Sequence, residues 1–196
     1  ISKNKFENIY SNQIFRNHYT LNLDKECAIL FKKKNIIWSQ EQQFGIQLEN
    51  RKRNFWSTHW NNYIELKPLK FEINCKFINI DTPSIDKIKT REIDGSNIQK
   101  GGRREALSLL KSFLKQRSEN YQKEMSSPVT GQVSCSRLSP YLSWGNLSVK
   151  QAYITIKKSK NYNLFKRSFN ASLMRLKWRC HFIQKFEMEC EYENKC

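Results

Sequence analysis

The clearest hydrophobic pattern lies in the second half of the chain. In residues 103–117, RREALSLLKSFLKQR, apolar side chains recur every three or four positions, which predicts an amphipathic helix. Residues 147–158 and 169–189 show the same period, and Ser148, at the start of the first of these, is a candidate N-cap. The polar segment 118–133 contains a proline and a glycine and is predicted to be a loop. The second half is therefore expected to consist of helices and loops.

The first half combines a helical period with a pattern of strand length. Residues 22–34, NLDKECAILFKKK, place apolar side chains on one face, with acidic residues in the first turn and lysines in the last. That distribution of charge suits the dipole of a helix. The following residues 35–40, NIIWSQ, are typical of a short buried strand. A helix that leads into a buried strand indicates an α/β unit.

The order of these elements predicts two domains joined by a linker. Residues 66–100 contain two prolines and scattered charges without a sustained period, so they are expected to connect the two parts. Residues 1–65 would be the C-terminal part of an α/β, Rossmann-like domain, and residues 101–196 the first half of a helical domain. The expected fold class is therefore an α/β remnant followed by an all-α half, predominantly helical overall.

A strip of basic and aromatic residues closes the α/β part. Residues 45–60, GIQLENRKRNFWSTHW, carry Phe55, Trp56 and Trp60 among lysines and arginines. Two interpretations stay open from the residues alone. The rings could fill a junction between domains, or they could form a platform on which nucleic-acid bases stack.

Composition adds a strong positive charge to this picture. The chain has 35 Lys and Arg against 18 Asp and Glu, a formal charge of +17, which favours polyanions such as nucleic acid or anionic lipid. A high content of lysine, asparagine and isoleucine is an alternative, purely compositional explanation of the charge. No apolar run approaches the ~20 residues of a membrane span, and no signal-peptide pattern is present. We expect a cytoplasmic protein without a membrane partner.

The six cysteines and three histidines do not follow a metal-ligand pattern. No two cysteines form a CxxC pair, so reduced thiols are expected rather than a zinc ribbon or a disulfide framework. Only His181 has a neighbouring cysteine, Cys180, and adjacent residues point in different directions on a helix. No metal site is predicted.

Residues 134–148, SCSRLSPYLSWGNLS, gather hydrogen-bond donors where a helix is predicted to begin. Ser136 and Ser139 flank Arg137, and Pro140 suits the first helical turn, which makes Ser139 a candidate N-cap. Two interpretations stay open on these residues: a capped helix with an exposed arginine, or a phosphate held by hydroxyls, a guanidinium and helix amides.

The order of motifs around this stretch favours the second of these interpretations, the phosphate site. The chain has Gly-Gly at 101–102, a helix ending in Phe-Leu, then Tyr121, and Ser-Arg-Leu-Ser-Pro-Tyr-Leu at 136–142. This order resembles the start of the flavin-binding helical domain of the photolyase/cryptochrome family. Three further segments are similar to that family: MRLKWRCHFIQKFE (174–187) to its Trp-Arg helix, residues 45–60 to the strip that closes its α/β antenna domain, and, more weakly, residues 9–38 to the end of that domain.

The resemblance implies an FAD site, with the serines and backbone amides on the FAD pyrophosphate. The residues that it assigns to the cofactor are Tyr121, Cys135, Ser136, Arg137, Leu138 and Ser139, with Trp178 lining the flavin pocket. The residues that it places toward DNA are Arg179, Cys180, His181 and Gln184. Tyr141 and Trp144 are expected to pack within helices rather than to stack on bases.

The activity implied by the resemblance is light-driven repair of DNA. Reduced flavin would donate an electron to a cyclobutane pyrimidine dimer flipped out of the duplex, and would receive it back after bond scission. The parent lyase would be a monomer that binds damaged DNA and carries an antenna chromophore of the folate or deazaflavin type besides FAD.

Two departures from the family pattern keep alternatives open. Cys180 follows Trp178 and Arg179, where photolyases commonly carry a Glu that hydrogen-bonds the damaged bases. A cryptochrome-like photosensory flavoprotein without repair is therefore an alternative, and a non-enzymatic, basic nucleic-acid-binding module is another. The chain also stops before the family's remaining flavin contacts, so we expect a fragment truncated at both ends that is inactive alone.

Overall fold

The computed structural model describes residues 6–15, 17–48, 54–68, 74–78 and 98–194. Within these ranges the chain forms two strands and eight α-helices, which confirms the predicted, mainly helical fold. The elements are β1 (Asn8–Asn12), α1 (His18–Lys33), β2 (Ile37–Glu41), α2 (Trp56–Glu65), α3 (Arg103–Ser112), α4 (Tyr121–Glu124), α5 (Gly131–Ser134), α6 (Ser139–Ser143), α7 (Val149–Lys157) and α8 (Lys166–Met188), with a π-helical turn at Phe113–Arg117 and a 3-10 turn at Cys190–Glu193.

The first part of the chain is a β-α-β unit. β1 and β2 pair in parallel, with Asn8 opposite Ile37, and α1 connects them. Asn17 and Thr20 form a capping box that starts α1, so the helix predicted for residues 22–34 begins four residues earlier. The side chain of Phe31 meets Trp38 edge to face across the helix and the sheet, at 5.3 Å between ring centroids. β1 was not predicted, because its sequence NIYSN lacks a run of apolar residues.

One hydrophobic core runs from Phe44 through α2 into the helices of the second half. Trp56 and Trp60 of the basic strip are buried in it, and the ring of Trp60 lies 5.7 Å from that of Tyr153. These two tryptophans fill a packing interface, as the first of the two interpretations expected, whereas Phe55 is exposed. Residues 49–53 of the same strip lie outside the described residues.

The helices of the second half follow the hydrophobic periods. The period in residues 103–117 produces α3 and the π-helical turn, and Ser148 caps α7 as predicted by accepting a hydrogen bond from the amide of Gln151. The helix predicted from residue 169 begins three residues earlier as α8. The segment 118–133 was predicted to be a loop, but it contains the short helix α4 and most of the short helix α5.

The predicted linker is described only in part, since residues 69–73 and 79–97 lie outside the described residues. Its last residues are attached to the helical part, because the hydroxyl of Tyr141 donates a hydrogen bond to the carbonyl of Lys100. In the described ranges, no helix is long and apolar enough to cross a membrane. The described residues also contain no cluster of three His, Cys, Asp or Glu side chains that could hold a metal ion.

Candidate functional site

A cleft of about 450 Å³ lies between the segment 135–139 and one side of α8. Short helices on either side, α5 and α6, hold the segment at both ends, and the long α8 supplies a rigid wall. The cleft is lined by Tyr121, Met125, Cys135, Ser136, Arg137, Leu138, Ser139, Leu142, Ser172, Arg175, Leu176 and Arg179. Six of the seven residues that the sequence assigned to the cofactor therefore share one cleft.

The lining of the cleft is cationic. It contains three arginines and no Asp or Glu. Arg137 and Arg175 are exposed at its mouth, and Arg179 is half-buried, with its guanidinium 4.1 Å from the centroid of the Phe44 ring. Burial lowers the pKa of Arg179 below its ordinary value, yet an arginine stays charged at neutral pH. Together with the hydroxyls of Ser136 and Ser139, these groups suit an anion with several oxygens.

Arg137 has an unusual backbone conformation. Its φ is 58°, in the left-handed region that side chains other than glycine rarely adopt, and such a residue costs on the order of 1–3 kcal/mol unless its surroundings hold it. The side-chain amide of Gln99 donates to the carbonyl of Arg137 at 2.7 Å. This contact fixes the turn that presents the Arg137 guanidinium at the cleft.

Arg117 was not predicted as a site residue, but it holds the segment 135–139 through hydrogen bonds to backbone carbonyls. Its guanidinium donates hydrogen bonds to the carbonyls of Leu109, Val133, Cys135 and Ser136 and to the hydroxyl of Ser112, at 2.8 Å for Leu109, 3.2 Å for Val133 and 3.0 Å for Ser112. These contacts tie the segment to α3 and occupy the donors of Arg117, so this residue positions the cleft instead of binding in it. The hydrophobic pattern carries no signal for such a role, since a cation at the end of a helix is ordinary.

Two further groups in the lining are neutral at physiological pH. Burial raises the pKa of Tyr121, and the nearby Cys135 adds to the increase. Burial also raises the pKa of the Cys135 thiol, although Arg117, Arg137 and Arg175 act in the opposite direction. Cys135 is therefore a protonated packing group and a weak donor rather than a reactive thiolate.

The remaining residue assigned to the cofactor, Trp178, lies outside the cleft lining. Its side chain is 44% exposed, and the guanidinium of Arg175 lies 4.6 Å from the centroid of its ring. Arg175 also lines the cleft and so connects Trp178 to it. The structure does not bring its ring to the segment 135–139.

Two of the four residues expected to face DNA are buried. Cys180 lies in the core, and Gln184 exchanges two hydrogen bonds with the backbone of Gln47, at 2.7 and 3.0 Å. Both side chains are buried in this structure, and their expected place toward DNA stays a prediction. Arg179 lines the cleft. The ring of His181 packs against the rings of Trp56 and Phe182, at 5.4 Å between centroids in each case.

The start of α6 also differs from the expectation. Ser139 is the first residue of the helix rather than its N-cap, and Leu138 precedes it without a side-chain hydrogen bond to the helix. Tyr141 packs in the core as expected, but Trp144 is 84% exposed and does not pack within a helix interface. The hydroxyl of Ser139 is thus not engaged in capping and lies in the lining of the cleft.

The described residues form a small β-α-β unit followed by helices that line a cationic cleft. A search of solved structures finds a similar fold in a bacterial class III photolyase from Agrobacterium tumefaciens, with a TM-score of 0.68 over 94% of this chain and 14% sequence identity. The chain therefore has a photolyase-like fold, and it spans 42% of that photolyase. No family model and no curated protein matches the sequence.

Proposed function

We propose that this chain is part of an FAD-dependent, light-driven DNA repair protein of the cyclobutane pyrimidine dimer photolyase type, and that its cleft holds the FAD pyrophosphate. The main observation behind this proposal is the clustering of Tyr121 and the segment 135–139 with Arg175 and Arg179 in one cleft. The photolyase-like fold supports the same class of protein.

The residues in the cleft fit a pyrophosphate. Its two phosphates carry negative charge on several oxygens, and guanidinium groups bind such oxygens through two parallel hydrogen bonds. Arg137 and Arg175 are exposed in the lining of the cleft, while Ser136 and Ser139 offer hydroxyl donors. Because no carboxylate belongs to the lining, no like charge opposes the ligand.

The protein's own groups do the binding and the orientation. Arg117 and Gln99 hold the segment 135–139 in place by its carbonyls, so that the donors of the segment point at a fixed position. FAD, when bound, supplies the light absorption and the electron transfer. The formal charge of +17 favours association with the DNA backbone, and Arg179 and His181 are the remaining candidates for contacts near the lesion.

A photosensory flavoprotein without repair is the second candidate. The burial of Cys180 favours it, because this position follows the Trp-Arg pair and cannot hydrogen-bond a damaged base from inside the core. The same cleft would hold the same cofactor in this case.

Light-dependent repair separates the two candidates. The full-length protein that contains this chain would be loaded with FAD under reducing conditions and given a single-stranded oligonucleotide that contains one cyclobutane dimer, in blue light and in the dark. Repair predicts loss of the dimer in the light only. Retention of the dimer by a full-length protein that holds FAD would support the photosensory candidate, and equal loss in light and dark would contradict light-driven repair.

A further inference from the structure

A groove of about 470 Å³ lies between α3, with the π-helical turn that continues it, and the C-terminal end of α7. Leu107, Leu110 and Leu114 follow one another at a spacing of three and four residues, which places them on the same side of the helix, and they line the groove. Among the described residues, none that lines the groove also lines the cationic cleft. The groove is therefore a second concave site, with a volume in the range of ordinary ligand pockets.

The loop after α7 is fixed to the opposite wall of the groove by a hydrogen bond. The side-chain amide of Asn161 donates to the carbonyl of Leu114, in the π-helical turn, at 3.0 Å. The backbone amide of Asn161 donates in turn to the hydroxyl of Ser159 at 3.3 Å. Both of these loop residues line the groove, so the contacts hold its two walls together.

Three lysines accompany the leucines in the lining of the groove. Lys111 and Lys115 lie four residues apart on the helix, and Lys160 belongs to the loop across the groove; all three are exposed. Among the described residues that line the groove there is no Asp or Glu. A lysine stem covers apolar surface with its methylenes while the ammonium group stays at the rim, where it attracts an anion.

The combination of leucines and lysines selects the chemistry of a ligand. A nucleic-acid backbone would satisfy the ammonium groups but would leave the leucine side chains in water, and a neutral apolar molecule would leave the charge unused. A second copy of the same groove would bring like charges together. From Leu107 to Leu114 the apolar lining extends over about 10 Å, at a rise of ~1.5 Å per residue. A short molecule that is apolar along its length and anionic at one end fits both features.

We propose that this groove binds a linear amphiphile with one terminal carboxylate, the class to which medium-chain fatty acids belong. The acyl chain lies along Leu107, Leu110 and Leu114, and the carboxylate pairs with the lysine ammonium groups at the rim. This site does not rest on the proposed function, because the groove and the cleft have different linings, and it holds whether or not the cleft binds FAD.

Isothermal titration calorimetry with decanoate, on the full-length protein that contains this chain, tests the site. We expect saturable binding of decanoate, and at least ~10-fold weaker binding of hexanoate because fewer methylenes are buried. Decyltrimethylammonium has the same chain and the opposite charge, so it should also bind at least ~10-fold more weakly than decanoate. The proposal is overturned by the absence of saturable decanoate binding, or by a decanoate affinity equal to that of either control ligand.

A charge-matched pair of variants separates the groove from the general positive field of the protein. Lys111→Gln/Lys115→Gln removes two cations from the groove and should weaken decanoate binding at least ~10-fold. Lys32→Gln/Lys33→Gln removes the same charge from the exposed end of α1 and should change decanoate binding less than ~2-fold. Equal losses in the two double variants would assign the binding to net charge and would contradict the proposal.

A change in the apolar lining gives an independent test. Leu107 is 39% exposed, and Leu107→Gln should weaken decanoate binding at least ~3-fold, since one apolar contact is lost. Leu164→Gln changes an exposed leucine outside the groove and should change it less than ~2-fold, while circular dichroism checks that both variants keep their helices. Unchanged binding by Leu107→Gln would contradict the proposal. So would displacement of decanoate by a short DNA duplex, which would assign the groove to nucleic acid.

Discussion

At the scale of single residues, the cleft depends on arginines that have different tasks. Arg117 is engaged with backbone carbonyls, whereas Arg137 and Arg175 are exposed at the mouth of the cleft. The sequence motif pointed to Arg137, because serines flank it and a helix follows. It did not point to Arg117 or Gln99, since their roles rest on contacts between residues up to 38 positions apart along the chain. Such contacts leave no periodic signal.

Replacement of Arg117 tests its supporting role. Arg117→Gln leaves several carbonyls without a charged donor, and we expect the free energy of unfolding to fall by about 2–3 kcal/mol. Urea denaturation followed by circular dichroism measures the change. Lys115→Gln is the matched control, because Lys115 is an exposed cation in the same turn, and its effect should stay within about 0.5 kcal/mol. Equal stability of the two variants would show that the contacts of Arg117 do not hold the segment.

The backbone of Arg137 gives a second test at this scale. Glycine adopts a φ of 58° without steric cost, whereas alanine does not. Arg137→Gly should therefore be more stable than Arg137→Ala by about 0.5–1 kcal/mol, although both variants lose the guanidinium. Thermal unfolding of the two proteins side by side measures the difference. Greater stability of the alanine variant would mean that the left-handed conformation is not kept in solution.

At the scale of elements, a strong helical period of apolar residues predicted helices correctly, whereas a weak period did not. α3, α7 and α8 were expected because their apolar residues recur at helical spacing over more than two turns. The orientation of α8 was harder to predict, since it is apolar on more than one side. Gln184 looked like a surface residue by its polarity, but its amide group satisfies the backbone of Gln47 inside the packed interface. A polar side chain can thus be the link between two elements.

This link between α8 and the segment before α2 can be broken selectively. Gln184→Leu keeps an apolar side chain of similar size but leaves the amide and the carbonyl of Gln47 without these partners. The free energy of unfolding should fall by about 1–3 kcal/mol, measured by denaturant titration. Lys185→Gln, at the exposed neighbouring position, should leave it nearly unchanged, and a loss of the same size there would argue against the specific contact.

Tyr63, which is buried in α2, is expected to make the stability of the protein fall at alkaline pH. Burial, with a further contribution from Cys180, raises the pKa of Tyr63 from 10.0 to about 12, and its hydroxyl donates to the carbonyl of Gln43 at 2.9 Å. Because the neutral phenol is favoured in the folded state, its stabilising effect is present below pH 10 and is lost as the pH rises through 12. The wild-type protein should lose more stability over this interval than Tyr63→Phe. Parallel pH curves for the two proteins would rule out this origin.

At the scale of the whole molecule, the sequence predicted a mainly helical fold with a small α/β part, and the structure confirms it. The cleft could be predicted only through the order of motifs along the chain, since no single residue in it is diagnostic of a phosphate. The chain spans 42% of the photolyase with a similar fold, and under the proposed function other parts of the protein would complete the FAD site. The division into residues 1–65, 66–100 and 101–196 stays a prediction. One hydrophobic core contains residues from Phe44 to Cys180, so the first and last of these parts pack against each other.

Fluorescence titration of the chain with FAD and with riboflavin tests the central claim most directly. Riboflavin has the same ring system but lacks both the pyrophosphate and the adenosine, so the Arg137→Gly variant is needed to assign a preference for FAD to the pyrophosphate. The pyrophosphate clamp predicts that FAD binds at least ~10-fold more tightly than riboflavin, and that Arg137→Gly weakens FAD binding ~10-fold or more, the effect of losing a hydrogen bond to a charged group, while riboflavin binding stays unchanged. Equal affinities for FAD and riboflavin, or FAD binding that Arg137→Gly does not alter, would contradict it.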